Sequence, residues 1–116
     1  MPERKTVLII ENDAIIRELL EDFLGLNGFA ACGVSSGVEA IRLVHEKRFD
    51  IIITDYSMPV MNGAEFVRAI RPRNPRTFII GISGVCGPGE FLSAGANAFV
   101  RKPFQLKDLL EIFEAL

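Results

Sequence analysis

The sequence predicts an α/β fold: one domain over residues 1–116, with a five-stranded parallel sheet covered by helices on both faces. Two observations predict it. Short, almost continuously apolar runs rich in β-branched residues alternate with longer segments of helical periodicity. The apolar runs do not alternate with polar residues, which marks strands buried on both faces rather than one. Strands that alternate with helices along a chain pair in parallel, with the helices as crossovers.

The elements follow in order. Val7–Ile10 is the first strand. Ile16, Leu19, Leu20, Phe23 and Leu24 fall at i, i+3, i+4, i+7 and i+8 and form one apolar helical stripe, which Asn27-Gly28 ends. Phe29–Val34 is a weaker strand. Ser36, with Glu39 three residues on, predicts a capping box for a second helix that turns Val38, Ile41 and Val44 inward. Ile51–Thr54 is the third strand, and Asn62 with Glu65 caps a third helix with Phe66 and Ile70 inward. After Phe78–Ile82, the residues Gly84, Gly87 and Gly89 oppose helix. The fourth helix is therefore shortened, opening with Pro88 and stopping at Gly95. Ala98–Val100 and a stripe of Leu106, Leu109, Leu110 and Phe113 complete the pattern. Five βα units with right-handed crossovers make a flavodoxin-like doubly wound (βα)5 three-layer sandwich, strand order 2-1-3-4-5.

Composition narrows the function. A chain of 116 residues with 49% hydrophobic content can bury a core without staples. A formal charge of −2 argues against nucleic acid or an anionic membrane as an obligatory partner. Arg68, Arg71, Arg73 and Arg76 read as a solvated helix end and loop, with a docking patch as the lesser reading. Cys32 and Cys86 have neither metal-ligand nor C-x-x-C spacing and read as reduced thiols. No apolar run approaches the ~20 residues of a membrane span. Met1-Pro2-Glu3-Arg4-Lys5 is not followed by a signal core, so a cytoplasmic location is expected.

In an open α/β sheet, ligands bind outside the carboxyl ends of the strands. Those ends carry Glu11-Asn12-Asp13, Asp55, Ser83 and Lys102-Pro103. Such a set of oxygens suits Mg²⁺. A carboxylate can also act as nucleophile and form an aspartyl phosphate, a reaction that asks mainly for positioning and charge neutralisation. Acids at strand ends are often only loop solvation, but four strand ends contributing at once make that reading weak. His45, alone on an outer helix face, reads as a surface residue, and Met58 and Met61 as loop packing. Tyr56 reads either as a shield for an acyl phosphate or as loop packing.

Five stretches in order carry a resemblance: Val7–Asp13, Ile51–Gly63, Ile82-Ser83-Gly84, Ala94-Gly95-Ala96 and Lys102-Pro103-Phe104. The whole chain resembles the response-regulator receiver family of two-component phosphorelays. The resemblance implies that Asp55 accepts a phosphoryl group from a histidine kinase or histidine phosphotransferase. It implies Mg²⁺ held by Glu11, Asn12, Asp55 and the backbone carbonyl of Ser57. It gives Ser83 and Lys102 to the phosphoryl oxygens, a cis bond to Pro103, and Phe99 as the aromatic switch on the fifth strand, with a fixed core aromatic as the equal alternative. It also implies an output protein or domain as partner, and it admits a homodimer.

Two departures stand out. Asn12 replaces the usual second acid, which predicts weaker Mg²⁺ binding; Asp13 is expected to cap the first helix, with metal contact as the minority reading. The glycine-rich Ser83–Gly95 segment shortens the fourth helix and puts the family's usual docking there in doubt. The rival to a phosphorylated switch is a non-phosphorylated pseudo-receiver, a protein–protein docking or dimerisation module. A phosphate-ester hydrolase is disfavoured, because Tyr56-Ser57 follows Asp55 where a second acid would be needed and the chain has no room for a cap.

Overall fold

The computed structural model describes residues 4–116, so Met1, Pro2 and Glu3 of the N-terminal stretch lie outside the described residues. Five strands alternate with five helices: β1 (Thr6–Ile10), α1 (Ala14–Leu26), β2 (Ala30–Val34), α2 (Gly37–Glu46), β3 (Ile51–Asp55), α3 (Gly63–Ile70), β4 (Phe78–Ser83), α4 (Pro88–Ala94), β5 (Ala98–Arg101) and α5 (Leu106–Glu114). A short 3-10 turn, Arg71–Arg73, follows α3. All pairings are parallel and the order is β2-β1-β3-β4-β5, the predicted fold.

Strand residues point alternately to opposite faces, so each strand feeds two cores. Leu8, Ile10, Ile52 and Ile79 pack with Ala40 of α2, Phe66 and Val67 of α3 and Phe91 of α4. Val7, Ile9, Ile51, Ile53 and Ile80 pack with Leu20 and Leu24 of α1 and Leu109 and Phe113 of α5. That is why the strand sequences read as unbroken apolar runs.

Several helix ends form as expected. Asp13 caps α1, its Oδ1 accepting from the amides of Ile15 (2.9 Å) and Ile16 (3.2 Å). Asn62 and Glu65 form a reciprocal capping box, both bonds 2.8 Å. The shortened α4 begins at Pro88 and ends against Gly95, whose φ of 114° only glycine adopts easily.

Four expectations are corrected. The Ser36 hydroxyl accepts from the Glu39 amide, but the Glu39 carboxylate accepts from Ser35 instead of closing the box. Leu19 and Val38 face outward, 52% and 54% exposed. Leu19 sits about 100° around α1 from buried Leu20, and Val38 sits about 100° around α2 from buried Gly37 and about 160° from buried Ala40. Arg71 is no solvated residue. Its guanidinium donates to the carbonyls of Gly95, Asn74 and Thr77 (2.8 Å each) and to Asn97 Oδ1 (2.7 Å). This ties the end of α3 to the α4–β5 connection, and the accompanying loss of water lowers its pKa. Among the described residues, no helix is long and apolar enough to cross a membrane.

Candidate functional site

Parallel register brings the carboxyl ends of β1, β3, β4 and β5 to one edge of the sheet. Glu11 follows β1 at 3% exposure, and Asp55 ends β3 at 6%. Lys102 follows β5 and lies half-buried across both. Its Nζ stands 2.9 Å from Glu11 Oε1 and 3.3 Å from Asp55 Oδ2. These are the only ion pairs found among the described residues. The Lys102–Pro103 bond is cis.

Each group is held from behind. Asp55 Oδ1 accepts from the Tyr56 amide (2.9 Å), and Glu11 Oε2 accepts from the Asp13 amide (3.1 Å). Arg17 Nη1 donates to the Glu11 carbonyl (2.8 Å), anchoring the turn between β1 and α1. The Gly63 amide donates to the Tyr56 carbonyl (2.8 Å), so α3 begins directly against the end of β3. Within that turn Val60 takes a φ of 72°, a region a β-branched side chain rarely enters.

Burial pushes the Asp55 carboxyl above its ordinary value, and the Glu11 charge adds to the rise. The Lys102 ammonium and the Tyr56 amide oppose it without cancelling it. Burial pulls the Lys102 pKa down, but the hydrogen bond to Glu11 and the charges of Asp55 and Glu11 outweigh that, and the net shift is upward. Two carboxylates therefore share one ammonium, leaving the pocket a formal charge of −1. This surplus, on hard oxygen ligands, fits a divalent cation such as Mg²⁺, which commonly uses one or two protein carboxylates and keeps several waters. Among the described residues, no cluster of three or more His, Cys, Asp or Glu side chains suited to a metal occurs. Asn12 and Ser57 are exposed beside the two acids in sequence. Asp13 is committed to its helix cap, which disfavours the reading in which it reaches a metal.

Ser83 is buried at the end of β4, one position past the Asp55–Ile82 pairing. Its Oγ accepts from the amides of Val85 and Cys86 (3.0 Å each), organising the loop before α4. Phe99 is half-buried, its ring 6.1 Å from Phe91 and 5.6 Å from the Arg101 guanidinium.

One participant was not singled out from sequence. Phe91 of α4 is fully buried and stands edge-on to Tyr56 at 5.9 Å. A Cβ at Gly81 or Gly63 would strike its ring, and at Gly63 would also strike the Asp55 carbonyl. The signal was present: a glycine in the middle of the β4 apolar run marks a place where something approaches the backbone closely.

A model of the family described as the response regulator receiver domain matches residues 7–114. The chain belongs to that family. The receiver is 33% identical over 111 residues to the chemotaxis protein CheY of Thermotoga maritima, covering 92% of each chain. It is 33% identical over 119 residues to the response regulator MprA of Mycobacterium sp. (strain KMS), covering 100% of this chain and 51% of that one. It spans about half the length of several curated relatives it matches. A solved structure of the chemotaxis response regulator CheY4 of Vibrio cholerae superposes with a TM-score of 0.90 at 31% identity, covering 97% of the receiver and 98% of that chain. Receivers are signalling modules of two-component systems rather than catalytic enzymes, interact with kinases and output domains, and are generally Mg-dependent.

Proposed function

We propose that this receiver takes a phosphoryl group onto Asp55 from a phosphohistidine of a histidine kinase or histidine phosphotransferase. The carrying observation is the contact of Asp55 and Glu11 with the single ammonium of Lys102. An Asp55 carboxylate oxygen attacks phosphorus, a P–O bond forms, the P–N bond to the donor imidazole breaks, and the imidazole leaves with the bonding electron pair and takes up a proton. Lys102 is placed to follow the charge from the carboxylate to the phosphoryl oxygens. A Mg²⁺ ion held by Glu11, Asp55, the Asn12 amide oxygen and the Ser57 carbonyl would supply further charge neutralisation there. With a neutral oxygen at Asn12, that ion would be bound more weakly than by three acids.

The switch follows from what Ser83 holds before phosphorylation. Turning its hydroxyl to a phosphoryl oxygen weakens its grip on the Val85 and Cys86 amides, and the loop before α4 is released to move. Phe99, packed on Phe91 of the same helix, moves with it. Because the phosphoryl group interacts with only one of the two loop arrangements, it shifts their populations. An output protein or domain, or a second copy of the chain, would read that shift.

Incubation with acetyl phosphate and Mg²⁺, followed by intact mass, tests the assignment. The wild-type chain is expected to gain one phosphoryl group and Asp55→Asn none. An unmodified wild type, or a modified Asp55→Asn, overturns it.

A further inference from the structure

The opposite edge of the sheet carries the opposite charge. There the α2–β3 connection meets the connection between the 3-10 turn and β4, enclosing a groove of about 550 Å³. Lys47, Arg48, Arg73 and Arg76 line it, all exposed, together with His45 and a single acid, Glu46. None of the four permanent cations forms an ion pair with the protein's carboxylates among the described residues. The sequence shows only half of this cluster at a time, because its members come from two segments about 30 residues apart.

The backbone that presents these cations is fixed. Thr77, 5% exposed, donates its hydroxyl to the Phe49 carbonyl (3.1 Å) and so joins the two connections. Arg71 grips the carbonyls of Asn74 and Thr77, and Asn74 Nδ2 donates to the Ile70 carbonyl (2.9 Å). A concave basic surface with low-dielectric walls concentrates anions, and a fixed backbone lowers the ordering cost of binding one.

We infer that this groove binds a small polyphosphate anion. Arginine forks match phosphate oxygens bidentately. The groove's size is that of a small-ligand site rather than a duplex track. Among the described residues, no Phe, Tyr or Trp lines the groove, and Phe49, next to Arg48 in the chain, is buried with the Lys47 ammonium over its ring. Recognition therefore falls on the phosphate chain.

The test is a titration of inorganic tripolyphosphate into the ¹⁵N-labelled 116-residue chain without Mg²⁺, in about 150 mM salt so that non-specific surface attraction is screened. Saturable amide shifts are expected at residues 45–48 and at Arg73, Asn74, Arg76 and Thr77. Arg73→Gln and Arg76→Gln are each expected to weaken binding about tenfold, the loss of one charge-assisted contact. Thermal melts by circular dichroism check that both exposed substitutions leave the fold intact, and Lys47→Gln with Arg48→Gln gives an independent pair. The inference is overturned by the absence of saturable shifts, by shifts centred on Asp55 and Lys102, by undiminished binding in both pairs of variants, or by a DNA duplex binding more tightly than tripolyphosphate.

Discussion

Helices α3 and α4 pack against each other on the same face of the sheet, yet they are held by opposite means. The eight-residue α3 has a reciprocal capping box and buries Ala64, Phe66, Val67 and Ile70. The seven-residue α4 has no side-chain cap and buries only Phe91 and Ala94. A helix of two turns gains little from its own hydrogen bonds. Its place is set by one ring lodged between two glycines. Those glycines, Gly81 and Gly63, belong to the strand beside β3 and to the helix that starts against Asp55. The difference teaches that α3 is a fixture of the fold, whereas α4 is positioned by the walls of the site.

Phe91→Ala breaks that contrast most strongly. It removes the one large anchor of α4 and leaves a cavity over Gly81. A stability loss of about 4 kcal/mol in urea denaturation is expected, with hydrogen exchange rising in α4 before α3. Equal exchange in the two helices would show that α4 has other support.

Lys102→Met changes the site without touching either helix. It leaves Glu11 and Asp55 buried against each other, at a cost of about 2 kcal/mol near pH 7 once the partial exposure of the lysine is discounted. The sign with pH is fixed. Asp55 already has a raised pKa, and loss of the ammonium raises it further, so the folded variant binds protons more readily than the unfolded chain. Its stability therefore rises as pH falls from 7 toward the carboxylate range. In the wild type, the raised pKa of Lys102 means its contribution is present below 10.5 and is lost as pH climbs through the folded value. Denaturation curves for both proteins across pH 4–11 read both arms. A variant that weakens further on acidification would contradict this account of the pocket.

Asn62→Ala is the smallest change. It removes half of the α3 capping box and is expected to cost about 1 kcal/mol, with faster exchange of the Glu65 amide and α4 undisturbed. Matching losses of protection in α4 would show that the two helices are not held separately.

Much of this was legible in the sequence because it depends on local pattern. The strands stand out because each is buried on both faces. Asp13 and Asn62 announce their caps, and Pro88 and Gly95 bracket α4 where expected. Glu11, Asp55 and Lys102 could be placed together because strand ends in a parallel sheet share one edge. What escaped depends on side-chain direction or on convergence of distant backbone. Arg71 looked like surface charge because nothing local shows that four acceptors gather around it. Leu19 and Val38 lie at the margin of their stripes, where a small rotation decides burial. The engagement of Ser83 with two loop amides is invisible until the loop has a shape.

The chain contains one tyrosine and no tryptophan. That tyrosine, Tyr56, follows Asp55, stands edge-on to Phe91 and takes a hydrogen bond from Asn62 Nδ2 at 3.3 Å. Native ultraviolet emission from the unlabelled protein thus originates mainly at a single ring, one residue after Asp55 and edge-on to the α4 anchor. An optical reporter of both is built into the polypeptide, with no dye or engineered fluorophore required.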